Sequence, residues 1–75
     1  MITQIGIVAG EIWQLLDNNA IMSLKEIVSN LERPEYLVLM SLGWLLREGH
    51  VLLEKEGDDF KVRLRQRKKA DKAGS

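Results

Sequence analysis

No cysteine occurs in the 75-residue chain. That excludes a disulfide scaffold, thiol catalysis and a thiolate metal site. His50 is the single histidine, so no second imidazole can join it in a ligand set. Aromatic residues are few: Trp13, Tyr36, Trp44 and Phe60. No apolar run approaches the ~20 residues that a membrane-spanning helix needs. The N-terminus also lacks the basic start and unbroken apolar stretch of a secretion signal, so a cytoplasmic location and no membrane partner are expected. No nucleophile, base and orienting group are spaced as a catalytic set, and a chain this short leaves little room for a substrate pocket. The expectation is a protein that is not an enzyme and carries no cofactor or metal.

What the chain does contain is the balance of a globular domain, 45% hydrophobic and 29% charged residues. A single domain of this size buries only about 60% of the surface its unfolded chain exposes. Association that adds buried area is therefore favourable for it. The net charge is zero but unevenly placed. Residues 1–60 hold four basic and ten acidic residues, a balance of −6, and residues 61–75 hold seven basic residues against Asp71, a balance of +6. An acidic body ends in a basic segment.

From Thr3 to Asn18 the apolar residues Ile5, Val8, Ala9, Ile12, Leu15 and Leu16 recur at helical spacing and make one stripe. Gly6 and Gly10 weaken that helix by up to about 1 kcal/mol each relative to alanine. Close approach of another helix on the Ala9–Gly10 side would offset this. Asn18-Asn19 is suited to end the helix, because asparagine tolerates the left-handed conformation. After a short extended link, Ser23-x-x-Glu26 is a capping box, with Met22 and Ile27 placed as its hydrophobic staple. Leu24, Ile27, Val28 and Leu31 form the stripe of a two-turn second helix. Glu32-Arg33 is a tight turn, Pro34 suits the first position of a third helix, and Gly49 suits the position just past its end.

Beyond Gly49 the period becomes two. Val51-Leu52-Leu53 runs into Glu54-Lys55-Glu56, Gly57-Asp58-Asp59 has turn chemistry, and Phe60, Val62 and Leu64 alternate with Lys61, Arg63 and Arg65. This is a hairpin. The order of helix, short strand, helix, turn, helix and hairpin predicts an α+β winged helix-turn-helix domain over residues 1–65. Residues 66–75 are basic and without periodicity, and are expected to form a disordered tail.

Two strings carry a resemblance: Ile5-Gly6-Ile7-Val8-Ala9-Gly10-Glu11-Ile12-Trp13, and Leu42-Gly43-Trp44-Leu45-Leu46-Arg47-Glu48-Gly49. With them the chain resembles, over about residues 3–64, a bacterial and archaeal family of small winged helix-turn-helix proteins of unassigned function. The resemblance implies the fold and a presumption of transcription-related work. It implies no ligand, because fold-level analogy says nothing about a site.

In DNA-binding domains of this architecture, residues near the start of the third helix reach base edges. The positions here are Arg33, Glu35, Tyr36, Leu39 and Met40. Arg33 and Tyr36, with Arg67, Lys68 and Lys69 of the tail, are the candidate contacts to double-stranded DNA. The rest of the helix argues otherwise. Val38, Ser41, Leu42 and Leu45 make one core face, and Tyr36, Leu39, Met40, Gly43 and Leu46 make a second apolar face opposite. A groove-reading face is rich in arginine, lysine, asparagine or glutamine instead. Glu54, Glu56, Asp58 and Asp59 put acidic residues at the hairpin tip, where phosphate contact needs cations. The second face therefore has two open destinations. One is a partner surface, with a twofold homodimer as the commonest form. The other is burial beneath the first helix and hairpin. Lys61, Arg63 and Arg65 are expected to pair with Glu54 and Glu56 across the hairpin, and Trp13 and Trp44 to occupy the core or an interface. The sequence thus supports a homodimeric DNA-binding regulator, with a protein-interaction or dimerisation module lacking DNA binding as the alternative.

Overall fold

A computed structural model describes residues 2–65. Its elements are α1 (Ile2–Asn19), β1 (Ile21–Ser23), α2 (Leu24–Leu31), α3 (Glu35–Arg47), β2 (Val51–Glu56) and β3 (Asp59–Leu64). The three strands form an antiparallel sheet in the order β1-β3-β2. This is the expected winged helix. The tail expected over 66–75, with the candidates Arg67, Lys68 and Lys69, lies outside the described residues.

Local signals place most element ends. The Ser23 hydroxyl accepts the Glu26 N–H at 3.1 Å, and the Glu26 carboxylate accepts the Ser23 N–H at 2.9 Å. The capping box is therefore complete. At the end of α3, the Gly49 N–H reaches the Leu46 carbonyl at 3.0 Å and the His50 N–H reaches the Leu45 carbonyl at 2.9 Å. With Gly49 at φ 79° this is a Schellman closure, and it fixes the angle at which the chain enters the hairpin. The hairpin turns on Gly57-Asp58, and of these two only Gly57 has positive φ, the II′ pattern that suits the twist of paired strands.

Two local expectations are corrected. Pro34 is the N-cap of α3 rather than its first residue, and its carbonyl accepts the first helical N–H groups. Neither Asn18 nor Asn19 ends α1 in the left-handed conformation. Asn19 stays helical, with its amide donating to the Leu15 carbonyl, and Ala20 turns the chain at φ 66°. The β-carbon makes that conformation costly for alanine by about 1–2 kcal/mol. Ala20→Gly relieves it at some cost in unfolded-chain entropy. A net gain of about 1 kcal/mol is expected, read as a thermal midpoint roughly 4–8 °C higher.

The short strand expected after α1 is present as β1. β1 pairs with β3, Ile21 opposite Arg63 and Met22 opposite Val62, which ties the helical half of the chain to the hairpin. The core lies between helices and sheet and includes Val8, Ile12, Leu16, Ile27, Val38 and Val62, all fully buried. Ser41 is buried among these apolar residues, and its hydroxyl has no hydrogen-bond partner among the described residues. An unsatisfied buried hydroxyl costs about 1–3 kcal/mol, and alanine is the better helix former. Ser41→Ala is therefore expected to stabilise the domain by about 1 kcal/mol in urea denaturation, and a clear loss would show that the hydroxyl has a partner.

Candidate functional site

α3 presents two faces, as its sequence pattern requires. Leu37, Val38, Ser41, Leu42 and Leu45 are buried against the rest of the domain. Tyr36, Leu39, Met40 and Leu46 are 36–59% exposed, and Gly43 is exposed among them. A β-carbon built on Gly43 would meet nothing within 4 Å. Neither α1 nor the hairpin covers this face, so internal burial is ruled out for the described residues.

Arg33 takes a position different from a groove-reading cation. Its Nε donates to Glu11 Oε1 at 3.0 Å and its terminal nitrogen to Glu11 Oε2 at 2.6 Å. The hydrogen bond and charge of Glu11 raise the guanidinium further above its ordinary pKa. The fork is used to clamp the α2–α3 turn to α1, and its charge is compensated. Bidentate pairing of this kind gives geometric definition. Tyr36, the other DNA candidate in the described residues, is exposed and stands on the apolar face.

The wing is acidic at its tip, and its nearby lysines are engaged. Lys25 lies 3.6 Å from Asp58 and Lys61 lies 3.2 Å from Glu56. The Lys55 ammonium donates to the Gly57 carbonyl and stands 5.5 Å from the Phe60 ring centre. The Phe60 N–H, bonded to Asp59 at 2.7 Å, is the main cause holding that carboxyl below its ordinary pKa, with Lys25 adding to it. The expected cross-strand pairing holds for Lys61 alone. Arg63 faces Leu52 on one side and Ile21 on the other, so the strand register offers it no carboxylate. Arg47, Arg63 and Arg65 make no ion pair among the described residues.

A second surface was not foreseen. Gly6, Ala9, Gly10 and Trp13 of α1 face Trp44 and Leu45 of α3 and His50 across an open groove of about 310 Å³. Trp13 and Trp44 are 39% and 46% exposed, so neither is a core residue. The Trp44 and His50 rings lie 6.1 Å apart, tilted by 40°. α3 packs against α1 and Ala9 is buried, but a β-carbon at Gly6 or Gly10 would meet nothing within 4 Å, so no helix closes on the glycines themselves among the described residues. A smaller groove of about 270 Å³ is lined by Leu24, Lys25 and Val28 of α2, Glu35 of α3 and Asp58, Asp59 and Phe60 of the hairpin. Among the described residues no group of histidine and carboxylate side chains could hold a metal, and no helix is long and apolar enough to cross a membrane.

Among known families, the winged helix-turn-helix domain family DUF2582, a family of unknown function, matches over residues 1–64. The chain belongs to that family. No curated protein matches it.

Proposed function

We propose that this winged helix-turn-helix domain is a protein-interaction module, that its docking surface is the outer face of α3, and that its first partner is a second copy of the chain. The observation that carries the reading is the contrast on and beside α3. The face that would read a DNA groove exposes Tyr36, Leu39, Met40, Gly43 and Leu46, while Arg33, the cation of the turn before α3, is paired with Glu11. An apolar face of this kind loses unfavourable water contact when a like face covers it. Gly43 leaves room for close approach of a second backbone, and a twofold pairing uses one patch on both copies. The acidic hairpin tip supports the same reading by repelling a polyanion.

Association with duplex DNA is the second reading. Its support is the exposed Arg63 and Arg65, on β3 and at its end, which make no ion pair among the described residues and precede Arg67, Lys68 and Lys69 in sequence. Sedimentation of the full chain over a range of concentrations, alone and with a mixed-sequence duplex at low and physiological salt, separates the two. A concentration-dependent dimer that ignores the duplex is the expected result. A monomer at every concentration overturns the interaction reading. Binding of the duplex that falls steeply with salt establishes the second.

A further inference from the structure

We propose that the groove between α1 and α3 is the docking site of the chain's own basic C-terminal segment, residues 66–75, held by cation–π contact with Trp13 and Trp44. This is independent of the α3 outer face. Three features of the molecule lead to it: the shape of the groove, the point at which the chain leaves the domain, and the charge of residues 66–75.

The groove suits long cationic side chains. Gly6, Ala9 and Gly10 make a shallow floor without side-chain bulk, and the indoles of Trp13 and Trp44 stand beside it with part of each ring in solvent. Indole is the best aromatic partner for an ammonium or guanidinium, and the aliphatic stem of lysine or arginine covers apolar surface while its head stays hydrated. The wing contains the same kind of contact, Lys55 over Phe60.

The described chain stops at the lip of the groove. The Arg65 N–H donates to the carbonyl of His50 at 2.9 Å, and His50 is itself a groove residue. The Arg65 guanidinium lies over Gly49, 3.4 Å from where a β-carbon would be. On its other side the end of β3 is paired to Ile21, directly after α1 and Ala20. The last described residue, Arg65, therefore lies beside His50, at the end of a strand whose other edge is paired to the segment that follows α1. The C-terminal end of α1 has no basic residue in its last turn, so its terminal carbonyls favour a cation supplied from elsewhere.

Length and composition match the path. From Gly6 to Trp13 the groove follows α1 for about 10 Å at helical rise, whereas ten residues of extended chain reach about 33 Å. Arg67, Lys68, Lys69 and Lys72 fall within that reach, against the single acidic Asp71. Each cation–π contact is weak, but a tether converts docking into an intramolecular event at millimolar effective concentration. With the segment docked, groove and tail are each withheld from other partners.

The absence of cysteine makes the test direct. A nitroxide placed on Ser75→Cys labels one position of the full chain, and isotope-labelled molecules carrying it are diluted into excess unlabelled protein. The expected result is selective loss of intensity at the Gly6 and Gly10 amides and the Trp13 and Trp44 indole N–H groups. The loss should vanish when Arg67, Lys68, Lys69 and Lys72 are all replaced by glutamine. Even or absent broadening overturns the proposal, as does broadening that survives the glutamine replacements. Broadening seen only when nitroxide and isotope are on different molecules also overturns it, and assigns the groove to the tail of a second copy.

Discussion

Ile12→Ala is expected to cost about 2–5 kcal/mol of folding stability at 25 °C. Ile12 is fully buried at the middle of α1, in a core shared with Val38 of α3 and Val62 of the sheet. Truncating a buried isoleucine removes transfer energy and leaves a cavity, together about 2–5 kcal/mol. A domain of this size has a total stability on the order of 5 kcal/mol. One substitution thus removes a large share of it. Ile7, also in α1 but 52% exposed, supplies the control, and Ile7→Ala should change stability by no more than about 0.5 kcal/mol. Urea denaturation followed by circular dichroism reads both. Equal effects from the two variants would contradict the placement of the core.

Met40→Glu is expected to raise the dimer dissociation constant by roughly two orders of magnitude while leaving the fold intact. Met40 is 45% exposed on the outer face of α3 and contributes nothing to the buried core. Glutamate and methionine have similar helix propensities, so the isolated domain should unfold at nearly the same urea concentration. In a dimer closed by this face the new carboxylate is buried without a partner, a loss of about 3 kcal/mol or more, or roughly a hundredfold in affinity. Gel filtration at matched concentrations reads the change. A variant that associates as tightly as the natural chain would remove Met40 from the interface.

Features written in neighbouring residues were legible in the sequence. Ser23 and Glu26 are three residues apart, and a capping box needs nothing more. Gly49 and His50 close α3 through carbonyls three and five residues back respectively, within the reach of a local reading. Alternation in Phe60, Val62 and Leu64 assigned β3 its inner face, and the two-faced pattern of α3 was visible from spacing alone. The apolar outer face could be named from the chain, but whether other elements covered it could not.

The features that sequence reasoning missed depend on distant pairing. Glu11 and Arg33 are 22 residues apart, and nothing local marks a guanidinium as already taken. Arg63 lacks its expected carboxylate because the β2–β3 register sets Leu52 opposite it and gives Glu54 to Lys61. The left-handed Ala20 breaks local preference, and its position follows from β1 having to meet β3 at Ile21 and Arg63. Trp13 and Trp44 carry the size and apolarity of core residues, and the groove they border appears only where α1, α3 and His50 come together.

Pairing of the outer face of α3 with its counterpart in a second copy is tested most directly by isotope-filtered NOE spectroscopy on an equal mixture of ¹³C-labelled and unlabelled chain. Cross-peaks between copies are expected from the Met40 and Leu39 methyl groups to protons of Tyr36, Leu39, Met40, Gly43 or Leu46. Cross-peaks between copies that arise only elsewhere, or none at a concentration where sedimentation shows a dimer, would contradict that pairing.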